Sequence, residues 1–132
     1  MPQTWPTYEP QQPVQVDFDN AIQLTGYDLV DNNLTLYWQS VTPINDDVVV
    51  FIHLLDSTGN MIIQADAPPT NNAYPTSWWS PGEVIADPHR LPIDSNTAKV
   101  HLGLYHLDSG QRLPITASTL PTQDDSLEIE VR

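Results

Sequence analysis

Three aromatic residues are the strongest candidates for chemistry in this sequence. Tyr74, Trp78 and Trp79 lie among Pro, Ser and Thr in residues 68–82, PPTNNAYPTSWWSPG, the longest stretch without a strand pattern. Loops of this length are uncommon in compact domains unless they are functional or mobile. An exposed aromatic ring in such a loop can stack on the apolar face of a sugar or anchor a protein partner. We therefore predict that Tyr74, Trp78 and Trp79 bind carbohydrate.

The same loop also has a purely structural interpretation. Trp78 or Trp79 would then cap one end of the hydrophobic core, while Pro75 and Pro81 would stiffen the connection. Large aromatic side chains are often highly buried, so this alternative is the ordinary one for a single Trp. One buried and one exposed indole would satisfy both interpretations.

The histidines show no recognisable metal or catalytic spacing. His53 lies inside an apolar run, where the alternatives are a ligand or base and a histidine that makes one hydrogen bond in the core or on the sheet face. His101 and His106 are an odd number of residues apart, so in one strand they lie on opposite faces and cannot share a metal without a bulge. We predict no metal site and no cofactor.

Acidic pairs in predicted loops leave one further possibility for ion binding. Asp46-Asp47 and Asp124-Asp125 offer oxygens that calcium prefers, although solvated loop carboxylates are the simpler interpretation. The sequence has no G-x-S-x-G nucleophile elbow and no glycine-rich phosphate loop. We therefore predict that the protein is not an enzyme and has no catalytic residues.

Composition narrows the classes of partner. Four Lys and Arg residues against seventeen Asp and Glu give a net charge of −13. Such a chain has no basic surface for a phosphate backbone or for anionic lipid, so we expect no nucleic-acid partner and no direct membrane insertion. The absence of Cys excludes disulfides and Cys-ligated zinc.

The elements that must position these residues are strands. Residues 48–56, VVVFIHLLD, form an apolar run of the kind found in strands covered on both faces, and we predict that this is the central strand. Apolar and polar residues alternate over 14–18, 34–40 and 127–131, which is typical of half-buried strands. This alternation places Trp38 in the core.

Turn residues separate the predicted strands. Asp31-Asn32-Asn33 predicts a tight hairpin, and Gly59 is placed for a positive φ in the turn at 56–60. Gly26 interrupts a strand where we expect a bulge or a close backbone approach. Two prolines confine the strand predicted over 83–93 to a sheet edge or an irregular path.

These elements predict one all-β domain. Eight or nine short strands at roughly ten-residue spacing, with no significant helix, favour a two-sheet antiparallel β-sandwich of immunoglobulin-like or jelly-roll-like type. The Pro-rich residues 1–13 are predicted to be a linker or leader, and residues 14–132 a single sandwich domain. The leader suggests that the chain is a piece of a longer protein.

Five motifs in order resemble a known family over roughly residues 18–131. They are LTGYDL at 24–29, LTLYWQ at 34–39, VFIHLLD at 50–56, YPTSWWSPGE at 74–83, and GLY at 103–105 followed by RLP at 112–114. The chain resembles the C-terminal extracytoplasmic β-sandwich module of bacterial membrane glycosyltransferases similar to dolichyl-phosphate-mannose protein mannosyltransferases. It departs from the pattern at residues 31–33, where relatives have a longer Pro-Gly turn, and at Trp79, where one aromatic residue is usual.

The resemblance implies a location and a role. The location is extracytoplasmic, in the cell envelope or secreted, and the partner is the parent membrane protein. The role is that of a non-catalytic accessory domain that binds a glycan or a glycoprotein acceptor, with no catalytic residue to transfer from the family. The alternative is a purely structural or protein-interaction module of immunoglobulin-like type that binds no sugar.

Overall fold

Two five-stranded antiparallel sheets make up the fold in the computed structural model, which describes residues 7–131. The strands are β1 (Gln12–Phe18), β2 (Ile22–Val30), β3 (Asn33–Ser40), β4 (Val48–Leu55), β5 (Met61–Gln64), β6 (Val84–Arg90), β7 (Lys99–His106), β8 (Ile115–Ser118), β9 (Thr122–Gln123) and β10 (Ser126–Glu130). The first sheet has the order β6-β3-β2-β1-β8 and the second the order β5-β4-β7-β10-β9. Two short 3-10 turns lie at Pro69–Asn72 and Thr76–Trp78.

The predicted all-β, two-sheet antiparallel β-sandwich is confirmed. Buried side chains from both sheets form one hydrophobic cluster between them. Trp38 lies fully buried in this cluster, as predicted, and its ring packs edge-on against Phe18 with centroids 5.8 Å apart. The structure has ten strands rather than eight or nine because one of them, β9, has only two residues and is too short to show an alternation. Within residues 7–131, none of the helical segments is long and apolar enough to cross a membrane.

The strand β4 is covered on both faces, as its apolar run predicts. Seven of its eight residues are buried, and the exception is His53, which is partly exposed. The predicted central position is off by one strand, because β4 lies between β5 and β7 and the middle strand of the sheet is β7. An apolar run indicates that both faces of a strand are covered. It does not indicate where the strand lies in the sheet, because a strand next to the middle one can be covered in the same way.

The predicted turn chemistry is confirmed at the positions that need a left-handed backbone. Asp31 has φ 55° in the hairpin between β2 and β3, and Gly59 has φ 89° after β4. At Gly26 the register between β2 and β3 shifts, which marks a bulge, and a Cβ there would lie 2.2 Å from Cγ of Pro10. The strand β6, which contains Pro88, is an edge strand as predicted.

The described part of the predicted linker packs against the first sheet. The ring of Tyr8 lies 5.2 Å from that of Tyr37, and the backbone N–H of Gln11 donates to Asp28 over 2.6 Å. The strand β1 begins at Gln12, inside the range predicted as linker. The remaining part of that range, residues 1–6, lies outside the described residues.

Tyr37 gives a prediction for stability at high pH. Its hydroxyl donates to Asp28 over 2.6 Å, and this hydrogen bond, followed by burial and the charge of Asp28, raises the pKa of Tyr37 to about 12. Because the folded pKa lies above the unfolded value of about 10, the stabilisation is fully present below pH 10 and is lost as the pH rises through about 12. We expect the difference in free energy of unfolding between the wild type and Tyr37→Phe to shrink over that interval. A difference that stays constant from pH 9 to 12 in chemical denaturation would contradict this assignment.

Candidate functional site

The predicted loop leads from the second sheet to the first, between the end of β5 and the start of β6. Thr76, buried within it, joins the loop to the chain before β4: its hydroxyl donates to the Asp46 carbonyl over 3.1 Å and accepts the Val48 N–H over 3.0 Å. Upstream, Thr70 and Asn71 have φ values of 55° and 53°, in the left-handed region. The loop is therefore held by specific polar contacts along its length.

Trp79 belongs to the core and not to an exposed surface. Its side chain is 5% exposed and packs in the hydrophobic cluster between the sheets. Its indole N–H donates to the Tyr74 carbonyl over 2.9 Å, so the polar end of the ring is satisfied inside the protein. Trp79 therefore does not present a face to a ligand, and the predicted stacking surface loses this member.

Trp78 has the opposite environment. It is 64% exposed, and its ring meets that of Tyr74 edge-on, with centroids 6.4 Å apart and an angle of 68° between the planes. Aromatic pairs favour this edge-to-face arrangement. The loop thus has one indole inside and one outside, the arrangement that satisfies both interpretations of the sequence.

Tyr74 is fixed by a carboxylate. Its hydroxyl donates to Glu83, 2.8 Å from Oε1 and 3.0 Å from Oε2, and Oε1 also accepts the Ser80 N–H over 3.0 Å. Burial, and after it the hydrogen bond to Glu83 and the charge of Glu83, raise the pKa of Tyr74 above its ordinary value. The phenol therefore stays protonated at neutral pH and keeps its donor role.

A second carboxylate, that of Asp47, bonds Ser77, the chain neighbour of the exposed indole. Asp47 Oδ1 accepts the Ser77 hydroxyl over 2.6 Å, while the Asp47 carbonyl accepts the N–H of Leu107 over 3.0 Å. The loop thus carries an exposed indole at Trp78, and the carboxylates of Glu83 and Asp47 bond to Tyr74 and Ser77 of the same loop. An apolar ring can stack on another flat apolar face, and a carboxylate accepts hydrogen bonds from hydroxyl groups.

Of the three histidines that the sequence singled out, His101 and His106 pair with carboxylates, at separate places. His101 Nε2 lies 3.0 Å from Glu128 Oε1, whereas His106 Nδ1 lies 2.5 Å from Asp46 Oδ2. The hydrogen bond from His101, followed by the charge of Lys99, lowers the pKa of Glu128. His53 is a partly exposed residue on the outer face of the second sheet, and its ring contacts that of Phe51 with centroids 5.3 Å apart. This is the position on the sheet face that the sequence offered as one alternative.

The acidic pairs hold protein groups. Asp46 contacts His106, Asp47 contacts Ser77, and Asp125 Oδ1 accepts the Ile115 N–H over 3.0 Å. In the described part of the chain, no group of three or more His, Asp or Glu side chains is arranged to hold a metal ion.

The sequence patterns did not predict the buried polar cluster around Asp87. Asp87 is fully buried: Oδ2 accepts the Trp38 indole N–H over 3.1 Å and lies 2.6 Å from His89 Nε2, and Oδ1 accepts the Thr70 N–H over 2.7 Å. The available signal was the alternation of Ile85, Asp87 and His89, which places all three on one face of a strand. Because two of them are polar, the pattern does not distinguish an inward from an outward face.

The cluster reaches the candidate site through Thr70. The Thr70 hydroxyl accepts the Tyr74 N–H over 2.9 Å, so the buried Asp87 positions the segment that carries Tyr74. The candidate site therefore consists of Tyr74, Trp78, Glu83 and Asp47. Comparison of the chain with known proteins gives no match among family models, curated proteins or solved structures.

Proposed function

We propose that this chain is a non-catalytic accessory domain that binds a neutral glycan, free or on a glycoprotein acceptor, through Tyr74 and Trp78. The observation that carries the proposal is the exposed indole of Trp78, 64% accessible and held edge-on by Tyr74. An exposed indole offers a large, rigid apolar face on which a sugar ring can stack, and its N–H can donate to a hydroxyl group.

The arrangement around the ring supports binding with little loss of entropy. Tyr74 is held by Glu83, and the loop is joined to the chain before β4 through Thr76. A ring that is already oriented needs less ordering when a ligand arrives, which favours affinity. The carboxylates of Glu83 and Asp47 add acceptors for sugar hydroxyls.

Charge and resemblance support the nature of the ligand and the setting. A net charge of −13 opposes polyanionic ligands, so among glycans it favours neutral ones over acidic ones. The five motifs that resemble the extracytoplasmic module of mannosyltransferase-like membrane proteins support a domain that is exported as part of a membrane glycosyltransferase or a related envelope protein.

The alternative is a structural or protein-interaction module. The observation that favours it is a second exposed apolar side chain, Leu107, 62% exposed, whose N–H donates to Asp47. Since Asp47 also accepts the hydroxyl of Ser77, the chain neighbour of Trp78, one acidic residue joins the two segments that carry these apolar side chains. A protein partner would use Trp78 and Leu107 together, whereas a sugar would depend on Trp78.

The two functions are separated by Trp78→Ala and Leu107→Ala. In calorimetric titrations with manno-oligosaccharides, we expect Trp78→Ala to weaken binding about tenfold or more, because the stacking contact is lost. Leu107→Ala should leave the affinity unchanged. Both variants should keep the free energy of unfolding within about 0.5 kcal/mol, as is usual for exposed positions.

Two results would contradict the proposal. One is the absence of Trp fluorescence quenching and of binding heat with the wild type across a neutral glycan array. The other is equal sugar affinity for the wild type and Trp78→Ala. Equal losses of affinity for an envelope glycoprotein in Trp78→Ala and Leu107→Ala, without sugar binding, would favour the protein-interaction alternative.

A further inference from the structure

The outer face of the second sheet carries a row of rings away from the loop. Phe51 of β4 lies between His53, at 5.3 Å, and Tyr105 of β7, at 6.4 Å and nearly parallel with an interplanar angle of 29°. Opposite Phe51 in the register is Gly103, where a Cβ would lie 2.5 Å from Phe51 Cζ and 2.7 Å from the Asp125 carbonyl oxygen. The absence of a side chain at Gly103 thus lets the Phe51 ring lie flat against the sheet.

Arg112 crosses this row of rings. Its guanidinium carbon lies 4.2 Å from the centre of the Phe51 ring, and Nη1 donates to the Asp124 carbonyl over 2.7 Å. A backbone bridge to Tyr105 fixes the position of Arg112 on the sheet. Among the described residues it forms no ion pair with a carboxylate, although the chain has seventeen acidic residues. Its remaining N–H donors are therefore available to a ligand.

Acceptors and an amide lie on the other side of the rings. Gln64 Nε2 donates to Asp66 Oδ2 over 2.9 Å, and Asp66 Oδ1 accepts the Ile52 N–H over 3.2 Å. These side chains and Arg112 border a depression of about 340 Å³, next to one of about 220 Å³ that shares His53 and Arg112. The larger depression lies within the usual range of about 300–1,000 Å³ for small-molecule sites.

We propose that this groove, formed by Phe51, His53, Gln64, Asp66, Tyr105 and Arg112, is a second binding site for a short neutral oligosaccharide. The groove is separate from the loop site, since neither Tyr74 nor Trp78 lines either depression. The inference does not depend on the loop site, and either site can be present without the other.

The chemistry of the groove selects this ligand class. Phe51 is buried beneath Arg112, so the rings that a ligand can reach are those of the partly exposed His53 and Tyr105. A sugar ring has an apolar C–H face for these rings and hydroxyls that both donate and accept, which fits a donor at Arg112 opposite an acceptor at Asp66. Burial lowers the pKa of His53, against the opposing effect of Asp66, so the imidazole is neutral at pH 7. Burial and then Asp66 raise the pKa of Tyr105, which keeps its hydroxyl protonated. A polyanion would meet Asp66 and the net charge of −13, and so is disfavoured.

The test is an NMR titration of the ¹⁵N-labelled chain with neutral manno-, gluco- and galacto-trisaccharides and an anionic uronic acid trisaccharide. We expect saturable shifts of the amide signals of Gln64, Tyr105 and Arg112 with a neutral sugar. Arg112→Gln should weaken this binding about tenfold or more, because hydrogen bonds from a charged donor are lost. Arg90→Gln, which removes the same charge from the other sheet, should bind as the wild type does.

A second variant guards against a folding effect at Arg112. Gln64→Ala alters an exposed side chain on the short edge strand and should weaken the same binding several-fold. Equal affinities of Arg112→Gln and Arg90→Gln, shifts confined to residues 74–83, tighter binding of the uronic acid trisaccharide, or no shifts at all would each overturn the groove site. The groove contains no Trp, so loss of the loop site shows separately as loss of the Trp78 fluorescence response.

Discussion

Asp87→Ala is expected to lower the free energy of unfolding by about 3–5 kcal/mol, the range found when one partner of a buried polar or ionic pair is removed. The loss is large because one carboxyl group serves Trp38, His89 and the backbone of Thr70. Each of these groups would remain buried, or partly buried, without its acceptor. Urea denaturation followed by circular dichroism measures the change.

Two further variants make the Asp87 result specific. Asp87→Asn keeps one oxygen and the shape of the side chain, so we expect a smaller loss of about 1–3 kcal/mol. Asp108→Ala removes an acidic residue from an exposed turn and should change the free energy of unfolding by less than about 0.5 kcal/mol. Similar effects of Asp87→Ala and Asp108→Ala would show that the buried cluster does not stabilise the fold.

Trp79→Ala is the other large expected effect, a loss of about 3–5 kcal/mol in the free energy of unfolding. Trp79 is 5% exposed and fills part of the cluster between the sheets, so its removal leaves a cavity as well as an unpaired Tyr74 carbonyl. The loop that carries Trp78 should loosen at the same time, because Trp79 is its chain neighbour. Thermal and urea denaturation report the first effect, and hydrogen exchange over residues 74–83 reports the second.

The matched control for Trp79 is the neighbouring residue. Trp78→Ala removes the same side chain from an exposed position and should leave the free energy of unfolding within about 0.5 kcal/mol. Equal losses of stability in Trp78→Ala and Trp79→Ala would contradict the division into a core indole and a surface indole.

The candidate site depends on contacts that lie outside its own loop. Glu83, which directly precedes β6, accepts the hydroxyl of Tyr74. Asp87 in β6 accepts the N–H of Thr70, and the Thr70 hydroxyl in turn accepts the N–H of Tyr74. A variant of Asp87 is therefore expected to weaken both stability and the proposed sugar binding, whereas a variant of Trp78 is expected to affect that binding alone. This difference separates positioning residues from residues that would touch a ligand.

Local patterns in the sequence predicted much of the fold. The alternation at residues 34–40 placed Trp38 in the core, the apolar run of β4 indicated burial on both faces, and Gly26 marked the bulge. These features depend on side-chain period and backbone conformation, which neighbouring residues determine. The order of strands in each sheet did not follow, because pairing joins residues far apart in the chain.

The candidate site was predicted only in part. Sequence indicated Tyr74, Trp78 and Trp79 as a group, but two adjacent Trp residues in a loop have no period that assigns one to the core. Their exposures, 64% for Trp78 and 5% for Trp79, follow from how the loop packs against the hydrophobic cluster between the sheets. Glu83 and Asp47 belong to the site because they accept the hydroxyls of Tyr74 and Ser77 in the folded protein.

The sequence by itself determined that this is an all-β chain with strongly acidic composition and an aromatic loop. Composition is counted directly from the residues, and the period that marks a strand depends only on residues close together in the chain. Only the tertiary structure decided which indole faces water, that Asp87 is satisfied by Trp38, His89 and Thr70, and that Arg112 lies over Phe51. Burial and hydrogen bonding across the two sheets are set by packing between distant segments, and that packing forms both of the surfaces that we propose for binding.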